Sequence, residues 1–234
     1  MPHETQTSQP VQQLGARVIA PQQQQVLRNT YLLLALTMVP TVIGALIGIN
    51  TVSIIIQHPI LSFVLMLGGV MGLQYAIAAN RNNGWGVVLL LGMTFLLGWF
   101  LGPLLSFALA LKNGAQLVGL AAGGTGIVLF IMGAVATTTR RDFSFMGKFL
   151  FVGMIALLVA MLANMFLQIP ALALTISTLV IVVFSLFLLH DLNRIVRGGE
   201  TNYVMATTGV YMSLYNIFAN LLFLLTALTG NSRD

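Results

Sequence analysis

From Tyr31 onward the chain is a succession of long apolar runs broken by short polar joints. A helix that crosses a bilayer needs roughly 20 predominantly apolar residues. On that measure the pattern predicts seven crossing segments: Tyr31–Ile49, Ile60–Ala79, Gly86–Ala110, Leu117–Ala136, Gly147–Leu167, Ala171–Leu189 and Tyr203–Leu228. Gly102-Pro103 interrupts the third, where a proline kinks or ends a helix and frees backbone carbonyls. Gln168-Ile169-Pro170 leaves room only for a turn, so the fifth and sixth segments are expected to be antiparallel neighbours.

The polar ends frame this body. Residues 1–29 hold Pro2, Pro10, Pro21 and the run Gln22–Gln25, and they offer too little apolar surface to offset the entropy of ordering them. They are expected to form a mobile cytoplasmic tail. A transmembrane domain over residues 30–230 and a short external tail at 231–234 follow. No basic stretch leads into an apolar stretch at the start, so the first crossing segment is expected to act as the insertion signal.

Composition agrees with the pattern. Of 234 residues 58% are hydrophobic and 6% charged, whereas a soluble domain carries about 25% charged residues. Lipid must be the solvent, and the fold class is an all-α integral membrane protein. The absence of cysteine excludes disulfides and thiolate metal sites. The net charge of +5 is small and lies in the joints, which fits orientation in a membrane rather than nucleic-acid binding. Arg17, Arg28, Arg81, Arg140, Arg141, Lys148, Arg194 and Arg197 lie on the side of the N-terminus, against Lys112 and Arg233 on the other. That asymmetry predicts a cytoplasmic N-terminus and, with seven crossings, an external (periplasmic) C-terminus.

Four pairs of glycines have GxxxG spacing: Gly44/Gly48, Gly68/Gly72, Gly98/Gly102 and Gly119/Gly123. Such pairs let helix backbones approach closely in lipid. Packing within the monomer is the expectation, with dimerisation as the alternative.

Enzyme chemistry finds little support. His3, His58 and His190 fall in the tail, an outer joint and a helix end, and no G-x-S-x-G elbow or phosphate-binding Gly-Lys-Ser/Thr loop occurs. Lys112 and Lys148 lie in joints, which excludes a Schiff base in the last helix. No His, Asp and Glu cluster has metal-ligand spacing. The expectation is a protein that is not an enzyme and carries no cofactor.

The charged stretch His190–Glu200 stands out, because charges at the edge of a bilayer are costly unless paired or functional. If the sixth helix runs past Leu189, Asp191 and Arg194 share a face. Arg194 and Arg197 suit a helix C-terminus, Gly198-Gly199 a stop, and Glu200, Thr201 and Asn202 the start of the seventh helix. Asp191 is the acid nearest the hydrocarbon. It is either an interfacial ion-pair partner of Arg194, with Arg81 as a second candidate partner, or a protonatable gate. The seventh helix carries Ser213, Asn216 and Asn220 along one stripe, with Tyr211 and Tyr215 alongside. Amides cannot face lipid unsatisfied, so the stripe faces other helices, by hydrogen bonding, or lines a water-filled path. Gln74, Asn164 and Gln168 could meet it, with the seventh helix central.

Three further stretches carry a resemblance: GWFLGPL at 98–104, AAGGTG at 121–126 and TTRRDFS at 138–144. Together they are similar to the signature of the Bax-inhibitor-1-like (transmembrane Bax inhibitor motif) family. VLRNTY at 26–31, GGETNY at 198–203 and SLYNIF at 213–218 resemble its bacterial YccA branch, the modulators of the FtsH protease. The resemblance implies seven transmembrane helices with the seventh central and residence in the bacterial inner membrane. It implies that the partner is FtsH, a membrane-anchored protease working from the cytoplasmic side. A substrate-like modulator would then be gripped by its N-terminal tail. For the wider family it implies a pH-sensitive calcium leak, with Ca2+ as a ligand, gated by two aspartates. Asp191 matches the first, and Ile217 stands where the second is expected. One carboxylate cannot share a proton as a pair does.

Overall fold

A computed structural model of the chain describes residues 19–139 and 141–230. Among them are nine helices and no strand. They are α1 (Pro21–Asn50), α2 (Val52–Gln57), α3 (Pro59–Ala79), α4 (Gly84–Phe100), α5 (Gly102–Leu109), α6 (Gly114–Thr138), α7 (Met146–Leu167), α8 (Pro170–Val196) and α9 (Tyr203–Gly230). Six are long and apolar enough to cross a membrane. The bent pair α4–α5 makes a seventh, its two parts meeting at 42°. The break falls at Leu101, directly before Gly102-Pro103, as expected from a residue that cannot donate to the preceding turn. Prolines stand at the first turns of α1, α3, α5 and α8, where a missing N–H costs nothing.

The start of α1 corrects the expected tail. Pro21–Asn29 belong to the helix, which therefore runs 30 residues, about 45 Å at 1.5 Å per residue. That exceeds the roughly 30 Å of a hydrocarbon core. Its first turns can therefore stand in the polar zone, where glutamines and an arginine are good helix formers. Gln23 caps the entrance, its side chain accepting a hydrogen bond from the Ala20 amide at 3.2 Å. The rest of the expected tail, residues 1–18, and the expected external tail at 231–234 lie outside the described residues. The short α2, between the first two crossings, is an element the apolar pattern did not predict.

α9 is the hub: it packs against α1, α3, α4, α5, α6 and α8. α7 lies at the rim beside α8, and Leu150 is its one buried residue. Aromatic side chains such as Phe130, Phe149 and Phe166 are at least three-quarters exposed, as a lipid-facing surface requires. Two of the four glycine pairs meet across one seam. A methyl at Gly44 would run into the Phe95 carbonyl, at Gly48 into that of Trp99, and at Gly98 into that of Thr41; Gly102 abuts Gly48. α1 and the α4–α5 pair thus touch backbone to backbone. A Cβ at Gly68, Gly72, Gly119 or Gly123 would have nothing within 4 Å, so those two pairs are not packed against another helix among the described residues.

The charged joints gather at one end. Asn202 donates to the Arg81 carbonyl at 2.8 Å and to Asn82 Oδ1 at 3.0 Å. Asn193 accepts from the Phe143 amide at 3.3 Å, and a Cβ at Gly198 would come 2.8 Å from Gln23. The opposite end is tied by Trp99 Nε1 donating to Thr51 Oγ1 at 2.7 Å.

Candidate functional site

The site grows out of the α8–α9 junction. α8 continues beyond the last apolar run to Val196, and Gly198 takes the left-handed conformation (φ 76°) that ends it. The amides of Gly199 and Glu200 turn back onto the Arg194 carbonyl at 2.8 and 3.2 Å. Asn202 then caps α9, its Oδ1 accepting from the amides of Val204 and Met205 at 3.0 and 3.1 Å. Glu200 Oε1 accepts from the Asn202 amide at 3.0 Å.

This tight return decides the ion pairs. Folding the chain back brings Glu200 to Arg194, Oε2 to Nη2 at 3.4 Å. Arg194 is therefore committed to Glu200, and the expected Asp191–Arg194 pair is not formed. Arg81 is not Asp191's partner either: its side chain is exposed, and its backbone carbonyl serves Asn202. Among the described residues Asp191 has no hydrogen bond or ion pair. Its carboxylate rests on α9 at Gly209, where a Cβ would stand 2.6 Å from Oδ2. Only a glycine leaves room for that approach.

Asp191 opens onto a cavity of about 320 Å³ between α3, α7, α8 and α9. Gln74 and Ser213 contribute polar atoms to its wall, Phe184 and Phe187 an aromatic surface, and Met154, Met205 and Met212 thioethers. The phenyl rings sit 5.7 Å apart and tilted by 39°. Gly209, Ser213, Asn216 and Asn220 follow one another at helical spacing on α9. Asn220 reaches a second cavity of about 300 Å³, which Asn164 and Ser177 also line. Gln74 shares the first cavity with Ser213, and Asn164 the second with Asn220. Gln168 instead ends α7 in the left-handed conformation.

The rest of the stripe is satisfied in two ways. Asn216 and Asn220 donate to carbonyls one turn back on their own helix, Met212 and Asn216, at 2.8 and 2.9 Å. The tyrosines reach across. The Tyr211 hydroxyl lies 2.7 Å from Thr41 Oγ1 and 3.4 Å from the Thr94 carbonyl, and Tyr215 donates to Leu97 at 3.1 Å. Both hydroxyls tie α9 to the glycine seam, and neither side chain lines either cavity.

A family model described as "Inhibitor of apoptosis-promoting Bax1" matches residues 23–233. The chain belongs to this family. It is 41% identical over 200 residues to the Escherichia coli K12 protein called "Modulator of FtsH protease YccA", covering 86% of this chain and 89% of that one. A Vibrio cholerae "Uncharacterized membrane protein" is 40% identical, with 88% and 91% covered. A Campylobacter jejuni protein of uncharacterized function is 31% identical, with 88% and 89% covered.

Asp191 lines the first cavity, while Ile217 is fully buried in the apolar core. Among the described residues no three His, Asp or Glu side chains come together to hold a metal ion. His190, expected at a helix end, is buried, and its Nδ1 lies 3.0 Å from the Phe143 carbonyl. With Asn193 it latches the joint between α6 and α7. In that joint Asp142 accepts from the Ser144 amide at 2.8 Å and faces Arg197 at 4.0 Å. The Ser144 hydrogen bonds, then the Arg197 charge, hold its carboxyl below the ordinary range. Sequence reasoning missed Gly209, whose signal was a glycine in an otherwise continuous helix.

Proposed function

We propose that this is a bacterial inner-membrane protein that binds and modulates the FtsH protease as a substrate-like inhibitor gripped through its N-terminal segment. The observation that carries the reading is the 41% identity, across 86% of the chain, to a protein named for that activity. A second relative is named "Inner membrane protein YccA". The arrangement of charge supports the orientation this requires. Arg28, Arg81, Arg141, Lys148, Arg194 and Arg197 belong to the end where α1 starts, and Lys112 to the other, so the N-terminus faces the cytoplasm and the C-terminus the periplasm. Polar residues precede Pro21 and offer a handle, while the backbone-to-backbone seam of α1 with α4–α5 resists extraction.

The test deletes residues 1–19, which leaves α1 and its Gln23 cap in place. The truncated chain should be degraded at a different rate by FtsH and recovered less with it from membranes. Unchanged turnover together with unchanged co-purification refutes the grip.

A second reading, a pH-sensitive leak for calcium or other cations, is favoured by two cavities along α9, one lined by Ser213 and by Asp191 of α8, the other by Asn220. Reconstituted protein should then release calcium from loaded vesicles in a pH-dependent way that Asp191→Asn alters. Flux no greater than from empty vesicles removes this reading.

A further inference from the structure

The cavity at Asp191 has the chemistry of a binding site for a particular class of molecule. Its charges do not cancel. Arg194 and Glu200 pair with each other at 3.4 Å, which leaves the carboxylate of Asp191 within reach of the Arg194 charge but with no hydrogen bond or ion pair of its own among the described residues. An anion would meet that carboxylate with the nearest guanidinium already engaged. An uncharged apolar occupant would offer the carboxylate no partner, so that it would have to take up a proton to remain buried beside it. A hard metal cation asks for six or more oxygen ligands, but one Glu200 oxygen serves Arg194 and the other the Asn202 amide. A cation that brings its own apolar body remains.

The walls suit such a body. Phe184 and Phe187 form a tilted aromatic pair, and aromatic faces attract cations within about 6 Å of the ring. Met154, Met205 and Met212 supply soft, adaptable surface. The volume of about 320 Å³ falls in the range of small-molecule sites, about 300–1,000 Å³. Gly209 fixes the charge, since the carboxylate lies against the space where a side chain would start. We propose that this cavity binds an organic monocation, an amine or quaternary ammonium with an apolar group, its head on Asp191 and its body against Phe184 and Phe187. This site is independent of the protease reading, because binding needs no FtsH.

The full-length protein in phosphatidylcholine nanodiscs, which carry no anionic lipid, is titrated calorimetrically with benzyltrimethylammonium. Saturable one-to-one binding is expected, weakened about tenfold or more by Asp191→Asn and about threefold by Phe187→Ala. Asp142→Asn, an acid remote from the cavity, should leave it unchanged. Where Asp191→Asn does not fold by circular dichroism, Gly209→Ala takes its place, since it displaces the carboxylate and keeps the charge. The proposal is overturned by no saturable binding, by undiminished binding in the variant used, or by complete displacement with equimolar calcium chloride.

Discussion

Placing a methyl group at Gly98 tests the seam that seats α1 on α4. The added Cβ would overlap the Thr41 carbonyl oxygen and stand 2.9 Å from the Thr41 carbon and 3.0 Å from its Cα. All three are backbone atoms, so no rotamer change relieves the clash. Ordinary carbon contacts are about 3.5–4.0 Å, and a gap of about 0.5–1 Å forfeits a quarter to a half of the attraction along a packed surface. Overpacking of this kind costs about 1–3 kcal/mol. The helix-propensity gain of alanine over glycine, about 1 kcal/mol, offsets part of it. Gly98→Ala should therefore destabilise by about 0–2 kcal/mol, toward the upper figure because the atoms met are backbone. Gly44→Ala, which meets the Phe95 carbonyl on the same seam, should do likewise. The double variant should cost less than the sum, because one separation of the helices relieves both contacts.

The comparison that decides is with Gly72→Ala and Gly119→Ala, whose added Cβ meets nothing within 4 Å, so that they keep the propensity gain undiminished and should stabilise by up to about 1 kcal/mol. Reversible unfolding in mixed detergent micelles, followed by circular dichroism, measures all four. If Gly98→Ala is no less stable than Gly72→Ala, the seam is not a close backbone contact and the packing argument fails.

Three further outcomes follow from single contacts. Asn202→Ala removes the cap of α9 and the bonds to Arg81 and Asn82, and should cost about 1–2 kcal/mol in the same unfolding assay; an unchanged midpoint would show the cap to be idle. Ile217→Asp places a carboxylate in a fully buried core position and should lower stability by about 3–5 kcal/mol; a monodisperse variant melting with the parent contradicts that packing. Asp142 has a depressed carboxyl in the folded protein, so its contribution is present above the ordinary carboxylate range and is lost as the pH falls through the depressed value. Being exposed, it should be small. Melting temperatures of parent and Asp142→Asn should differ at neutral pH and converge in acid, and a difference that grows in acid reverses the sign.

The apolar runs made the crossing segments legible, because lipid forces every backbone group into a local helical bond. Gly102-Pro103 likewise announced the break at Leu101. The glycine pairs were only half legible. Spacing shows which backbone face is bare but not whether a second helix lies on it, and Gly44/Gly48 found Gly98/Gly102 while the other two pairs face outward. The same limit applies at the site. Helical periodicity placed Asp191 and Arg194 on one face, but the turn at Gly198 carried Glu200 back to Arg194 and left Asp191 to Gly209. Tyr211 and Tyr215 found their partners on α1 and α4, which no local pattern could name. The beginning of α1 was missed for another reason. A glutamine run lacks apolar periodicity, yet its backbone bonds are as helical as any.

The distribution of packing bears on how such a chain would respond to a pulling machine. α1 has eight buried residues, from Val26 to Gly48, and its glycines touch α4–α5 backbone to backbone. α7 has only Leu150 buried. Its joint to α6 is held by Asn193, His190 and the Arg197–Asp142 pair. A force applied from the N-terminus meets the firmly seated helix first and would have to separate backbones already at contact distance. The same force applied at the α6–α7 joint would meet side-chain hydrogen bonds and a long ion pair whose Asp142 side is exposed, each of modest worth. A handle placed ahead of α1 thus engages a helix seated more firmly than α7, the arrangement that the proposed grip on the N-terminal segment would need if the chain is to be drawn in slowly.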